Sequence, residues 1–304
     1  MNILEFFGLK EDPFRLTPDP AYFFPSAGHN EALQSLNYLV EQREGFGLVS
    51  GEPGTGKTTL ISVFMESWKD KAEIAMILTP RLSPEEFLMA VLDDLNVKSE
   101  KTNKNDILKA FRDFLVDRSQ AGRPVIIIVD EAQDLPDETL EELRLLSNLE
   151  TDKNKLLQII LMGQPEINER LRQNNFRQLN QRITVRIRLY PLSTEEALDY
   201  INYRLIKAGK GFLRMDEKLR KPIHRHSAGV PRLINILSSR AIMIAYLEGS
   251  NVVSKKHVMY AVRHLRETQE MPQSRLSPYN SLIYMIPAAL LLLVGYYAIG
   301  RWKG

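Results

Sequence analysis

Cysteine is absent from the 304 residues, which excludes disulfide scaffolds, Cys-ligated zinc, iron–sulfur clusters and thiol catalysis together. Aromatic residues make up only 8%, and Gly and Pro number 16 each, so neither a collagen-like nor a low-complexity chain fits. The opening Met1-Asn2-Ile3-Leu4-Glu5 has no basic stretch leading into an apolar run, and no signal peptide is expected. Charge is missing from one long stretch. Between Leu276 and Gly300 no residue is charged, and residues 282–300 are apolar almost all round. As a helix those residues rise about 28 Å, close to the roughly 30 Å of a bilayer core. Tyr284, Tyr296, Tyr297 and Trp302 lie towards the ends, as interfacial aromatics do. The expectation is a transmembrane helix over 282–300 with a tail at 301–304.

What is present is a globular composition, 44% hydrophobic and 26% charged, long enough for about two domains. The net charge of +2 hides a division along the chain. Residues 1–199 hold 23 Lys+Arg against 33 Asp+Glu, a net of −10, whereas residues 200–266 hold 14 against 3, a net of +11.

In the middle of the chain, short β-branched runs alternate with helical patterns, the signature of a parallel α/β sheet. Strands are expected at 46–50, 73–78, 125–129, 156–162 and 183–189, with helices at 57–69, 83–95, 104–120 and 136–149. Ser83 followed by Glu86 forms a capping box. After Pro191 the strands are expected to stop. Segments 193–208, 216–227, 231–247 and 254–266 read as helices of a small lid domain, 191–266, that carries the basic charge. Residues 267–281 are polar, contain two Pro, and read as a linker.

Two motifs carry chemistry. Gly51-Glu52-Pro53-Gly54-Thr55-Gly56-Lys57-Thr58 matches G-x-x-x-x-G-K-[ST], with Thr59 following. Such a loop turns successive backbone N–H groups towards a phosphate chain; Lys57 neutralises the β and γ oxygens, and the Thr58 hydroxyl coordinates Mg²⁺. The helix opening near Lys57 adds its positive end. Downstream, Val125-Ile-Ile-Ile-Val-Asp130-Glu131 is a buried strand ending in two acids. Asp130 is expected at the Mg²⁺ ion and Glu131 as the general base for an attacking water. Three further positions complete a nucleotide-hydrolysis site. Gln164 follows the fourth strand, Arg182 precedes the fifth, and Arg232 opens a lid helix after Gly229-Val-Pro; an Arg brought to the γ-phosphate stabilises transition-state charge.

The P-loop, the acidic pair, Gln164 and the two Arg positions resemble an AAA+ ATPase, an α/β P-loop NTPase with a five-stranded parallel sheet in residues 1–190. More narrowly, Phe6-Phe-Gly-Leu-Lys-Glu-Asp-Pro-Phe14, Thr17-Pro-Asp-Pro, His29-Asn-Glu-Ala-Leu33, Leu157-Gln-Ile-Ile-Leu-Met-Gly-Gln-Pro-Glu166 and Gln181-Arg-Ile resemble the general secretion pathway protein A (ExeA-type) ATPases. Residues 1–40 hold the signature of that family. ATPases of MSHA pilus biogenesis and of exopolysaccharide export are related to it. The resemblance covers about 1–266 and implies ATP and Mg²⁺ as cofactors. It makes Gln164 a sensor, Arg182 a finger acting on a neighbouring subunit, and Arg232 a lid sensor.

It also implies a homo-oligomer, ring or dimer, anchored by a single pass in the bacterial inner membrane. The ATPase domain would be cytoplasmic and serve a membrane envelope complex for secretion, pilus assembly or polysaccharide export. ExeA-type proteins continue beyond their span into a peptidoglycan-binding portion, whereas this sequence stops after residues 301–304, so direct peptidoglycan contact is not expected. The alternative is a nucleic-acid-binding AAA+ ATPase of the transposition-helper or initiator type, supported by the +11 segment. It ranks second, because subunit pairing and anionic lipid explain the same charge.

Overall fold

The structure is a computed structural model that describes residues 2–78, 81–97, 103–150, 155–209 and 211–268. Along the chain run α1 (Ile3–Phe7), α2 (Ala27–Glu41), β1 (Phe46–Gly51), α3 (Lys57–Trp68), β2 (Glu73–Ile77), α4 (Pro84–Asp94) and α5 (Lys104–Gln120). There follow β3 (Val125–Val129), α6 (Asp137–Leu146), β4 (Leu157–Gly163), α7 (Glu166–Leu171), α8 (Arg177–Arg182) and β5 (Ile183–Leu189). The remainder is α9 (Thr194–Lys207), β6 (Arg214–Met215), α10 (Arg220–Ser227), α11 (Pro231–Leu247), β7 (Val252–Val253) and α12 (Lys255–Glu267).

The five long strands pair in parallel in the order β2-β3-β4-β1-β5. β3 and β4 are buried along their whole length, as near-continuous apolar runs in a sheet covered on both faces must be. One face presents Phe46, Leu48, Ile127, Ile159 and Leu161 to a cluster with Phe87, Phe111 and Leu143 of α4, α5 and α6. The other presents Val49, Ile126, Ile128 and Ile160 to Leu36, Leu39, Leu60 and Phe64 of α2 and α3. The Ser83 capping box forms as expected: Ser83 Oγ accepts from the Glu86 N–H, and the Glu86 carboxylate accepts from the Ser83 N–H at 2.8 Å.

The lid region departs from the sequence reading. Strands do not stop at Pro191, because β6 and β7 form a short parallel pair, Arg214 against Val252 and Met215 against Val253. Two-residue strands leave no period to detect. Within 216–227 the first turn is a 3-10 helix, Glu217–Leu219, ahead of α10. Helices α2, α7 and α8 carry no helix expectation from sequence.

Phe7, Leu9, Phe14 and Tyr22 join the lid's own cluster, among Leu205, Leu219, Ile234, Leu237, Ala241 and Leu265. Backbone bonds fix them there: Lys10 N–H donates to Ala208 O at 2.8 Å, and Phe212 N–H to Phe7 O at 2.7 Å. The sequence reading grouped these residues with the α/β domain, but their buried partners belong to the lid. Replacing the fully buried Phe7 by Ala should cost about 3–5 kcal/mol through lost transfer energy and a residual cavity. Chemical denaturation followed by lid-region hydrogen exchange checks this; unchanged lid protection would contradict the packing.

Among the described residues no helix is long and apolar enough to cross a membrane. The expected span at 282–300, the tail and nearly all of the 267–281 linker lie outside the described residues.

Candidate functional site

The sheet order places three functional strand ends side by side, because β4 lies between β3 and β1. The P-loop leaves β1, Asp130 and Glu131 leave β3, and Gln164 leaves β4. Open parallel sheets bind ligands at the carboxyl ends of their strands.

In the P-loop, Gly54 and Gly56 have φ of +81° and +102°, a region that costs a Cβ-bearing residue energy. Space forbids a side chain at Gly54 as well, since a Cβ there would lie 2.7 Å from Arg232 Cβ. Lys57 is 7% exposed, and its ammonium folds back onto the loop, donating to Gly51 O at 2.6 Å and Glu52 O at 3.2 Å. Burial pushes its pKa down, and the Glu131 and Asp130 carboxylates oppose that shift. This ammonium is held by carbonyls that an anion can outcompete.

Asp130 is nearly buried. Burial pushes its carboxyl above the ordinary range, against the stabilising Glu131 N–H (2.8 Å) and the nearby Thr58 side chain. The pairing of Thr58 with Asp130 suits Mg²⁺, which takes one or two protein oxygens, phosphate oxygens and water. A cluster of three or more His, Asp or Glu able to cage a metal is absent among the described residues.

Glu131 has φ of 47°, an uncommon left-handed position of the kind that gathers at functional sites. Its Oε2 accepts from Gln133 Nε2 at 2.7 Å and lies 3.5 Å from Gln164 Nε2. Gln133 Oε1 in turn accepts the Gln164 N–H at 3.0 Å. Gln133 thus ties the third strand end to the fourth. Sequence reasoning missed it, although an amide two residues beyond Glu131 was the available signal.

The lid closes one side of the cleft. Gly54, Gly56, Lys57, Thr58, Thr59 and Glu131 share it with Arg232 and Asn235 of α11, Tyr200 and Arg204 of α9, and Arg15 to Asp19 of the N-terminal segment. Arg232 reaches the P-loop through its backbone too, its N–H donating to Gly54 O at 3.2 Å. Arg204, 7% exposed, donates to Pro13 O, to Arg15 O at 3.3 Å and to Tyr200 Oη at 3.1 Å. Its guanidinium carbon lies 4.7 Å from the Tyr22 ring centroid. Sequence gave no sign of this buried cation, since an Arg in a charged helix reads as solvated.

Of the expected site residues, the structure gathers Gly51 to Thr59, Asp130, Glu131, Gln164 and Arg232. Arg182 stands apart. At the end of α8 its guanidinium donates to Arg144 O and Ser147 Oγ, and it does not line this cleft.

The AAA domain family matches residues 40–171. Over 294 residues the chain is 38% identical to General secretion pathway protein A of Aeromonas hydrophila, covering 96% of this chain and 53% of that protein; the chain therefore spans about half the length of this relative. Among solved structures, Cdc6p from Pyrobaculum aerophilum superposes with a TM-score of 0.61 at 19% identity, over 80% of this chain and 70% of that one. The ORC2 protein of Aeropyrum pernix gives 0.62 at 16%, over 84% and 71%. The RuvB Holliday junction branch migration motor of Thermotoga maritima gives 0.55 at 16%, over 80% and 70%. At such identities these likenesses concern the fold. With a P-loop and an acidic strand end on one five-stranded sheet, a lid against them, and this similarity running along nearly its whole length, the chain belongs to the AAA+ family, among proteins of the general secretion pathway protein A type.

Proposed function

We propose that the chain is a membrane-anchored ATPase that couples ATP hydrolysis to assembly or operation of a bacterial envelope system for secretion, pilus formation or polysaccharide export. One observation carries the hydrolytic part: the Glu131 carboxylate lies at the same cleft as Lys57 and Thr58, oriented by an amide of its own chain. The P-loop N–H groups and Lys57 bind the phosphates, and Arg232 closes over them from the lid. Thr58 and Asp130 would hold Mg²⁺, which neutralises phosphate charge when bound. Glu131 takes the proton of the attacking water, while Gln164 helps set that water between the strand ends. Arg182, directed away from its own cleft, acts on the P-loop of a neighbour, which makes the working form an oligomer.

Similarity to a secretion-pathway protein supports the envelope role, the uncharged stretch 282–300 supports membrane anchoring, and the need for ATP and Mg²⁺ supports a cytoplasmic nucleotide site. Fractionation tests the anchor. Full-length protein should sediment with membranes and need detergent, whereas a chain lacking 277–304 should be released and still hydrolyse ATP. Full-length protein that stays in solution without detergent would remove the anchor from the proposal.

The second reading, a nucleic-acid-binding ATPase, draws on the basic lid. There Arg266 Nη2 lies 3.3 Å from His226 Nδ1, and burial, then Arg266 and Arg225, push the His226 pKa down. Duplex DNA binding by the truncated protein, weakening steeply with salt, would favour this reading over the first.

A further inference from the structure

His29, in the first turn of α2, sets its side chain against the bend of the P-loop. It is 6% exposed. Its Nε2 lies 3.0 Å from the Thr55 carbonyl oxygen, and its Nδ1 lies 2.7 Å from Ser26 Oγ. A carbonyl can only accept, so Nε2 carries the proton; in a neutral ring Nδ1 then accepts from the Ser26 hydroxyl. Burial lowers the pKa of His29 and so favours this neutral form. Ser26 Oγ also accepts the His29 N–H at 3.3 Å as the cap of α2, and the Phe23 ring stands edge-on to the imidazole. The ring is held on three sides.

The carbonyl it holds belongs to the peptide that also carries the Gly56 N–H. A trans peptide is planar, with its C=O and N–H pointing in opposite directions. Fixing the Thr55 oxygen on the His29 side therefore turns the Gly56 N–H to the other side, towards the interior of the loop. With φ of +81° and +102° at Gly54 and Gly56, the glycines flanking this stretch give it little resistance to a peptide flip. His29 Nε2 also abuts Gly56 directly, since a Cβ built there would lie 2.8 Å from it.

We infer that His29 is a positioning residue for the P-loop: its Nε2–H locks the Thr55–Gly56 peptide so that the Gly56 N–H faces the phosphates. This rests on the nucleotide-binding reading of the loop and adds a residue to it. In this role His29 acts through one backbone oxygen, and it ties the start of α2 to the site. The neighbouring Ala27 N–H reaches Glu196 of the lid at 3.3 Å, so the same turn of helix borders both domains.

The test measures affinity for a fluorescent ADP analogue, KM and kcat for ATP, and thermal midpoint, on full-length protein in detergent solution. His29→Leu should raise the ADP dissociation constant and the KM for ATP about tenfold, the scale of one buried hydrogen bond, with a smaller change in kcat. His29→Gln can place an amide N–H near the Nε2 position and should stay within about threefold of the parent protein, whereas the shorter His29→Asn should behave like His29→Leu. A residue that only supports the fold would separate the variants by thermal midpoint and leave affinity level among them below it. Parent-like ADP affinity in His29→Leu, or equal impairment of the Gln and Asn variants, would overturn the inference. If His29→Leu does not fold, the Gln and Asn pair decides. Failure of the parent protein to bind ADP would instead defeat the nucleotide-binding reading itself.

Discussion

Lys57→Ala protein is expected to bind ATP at least about a hundredfold more weakly than the parent, because hydrogen bonds to a charged group contribute about 1.5–3 kcal/mol each. Glu131→Gln should behave oppositely at the binding step. It keeps the P-loop, Lys57, Thr58 and Asp130, and loses only the carboxylate that takes the proton. Its ATP affinity should match the parent while turnover falls about 10²–10⁴-fold, leaving ATP trapped. The substitution is nearly isosteric, so the contact with Gln133 Nε2 can persist through the amide oxygen. Equilibrium binding and single-turnover hydrolysis separate the two variants. Parent-like turnover in Glu131→Gln would remove Glu131 as the base and turn attention to other groups at the strand ends.

Arg182→Ala is expected to reduce turnover about 10³-fold or more, the range seen when a transition-state arginine is supplied in trans, with little change in ATP affinity. The structure gives this a sharper form, since Arg182 is engaged with Arg144 O and Ser147 Oγ and not with its own cleft. Mixing Arg182→Ala with Lys57→Ala subunits should restore part of the activity, because some interfaces then join an intact P-loop to an intact arginine. Turnover per subunit should also rise with protein concentration. Absence of rescue in a mixture shown by sedimentation to co-assemble would assign Arg182 a role within its own chain. Ser147→Ala provides the control for stability, as it removes one partner of the guanidinium and leaves the arginine itself.

The P-loop and the acidic strand end were legible because their chemistry is local. A phosphate cradle needs glycines and a lysine within one turn of chain, and Gly54, Gly56 and Lys57 stand where that geometry requires them. The sheet was legible for a similar reason: Val125–Val129 and Leu157–Gly163 are short apolar runs that only a doubly covered sheet can bury. Contacts between distant segments left no such trace. Phe7 and Phe14 lie some 190 residues from their α9 partners around Arg204, and nothing in the periodicity of either segment points to the other. His29 and Gln133 show an intermediate case. Each is one polar residue whose role depends on a single hydrogen bond across the fold, to Thr55 O or to Gln164 N. A motif can mark such residues, but only the folded chain shows what they hold.

The N-terminal segment's residence in the lid cluster means that the chain passes between the two bodies twice. Phe23 packs with the sheet cluster and Phe24 with the lid; Leu189 packs with the sheet and Leu192 with the lid. A body tied to another at one point can tilt in any direction, whereas one tied at two points turns freely only about the line joining them. Here the two crossings lie side by side, since Phe23, Phe24 and Leu192 border one small cavity. They act nearly as a single tie, and the Arg232 N–H on Gly54 O supplies a further point at which the lid meets the P-loop.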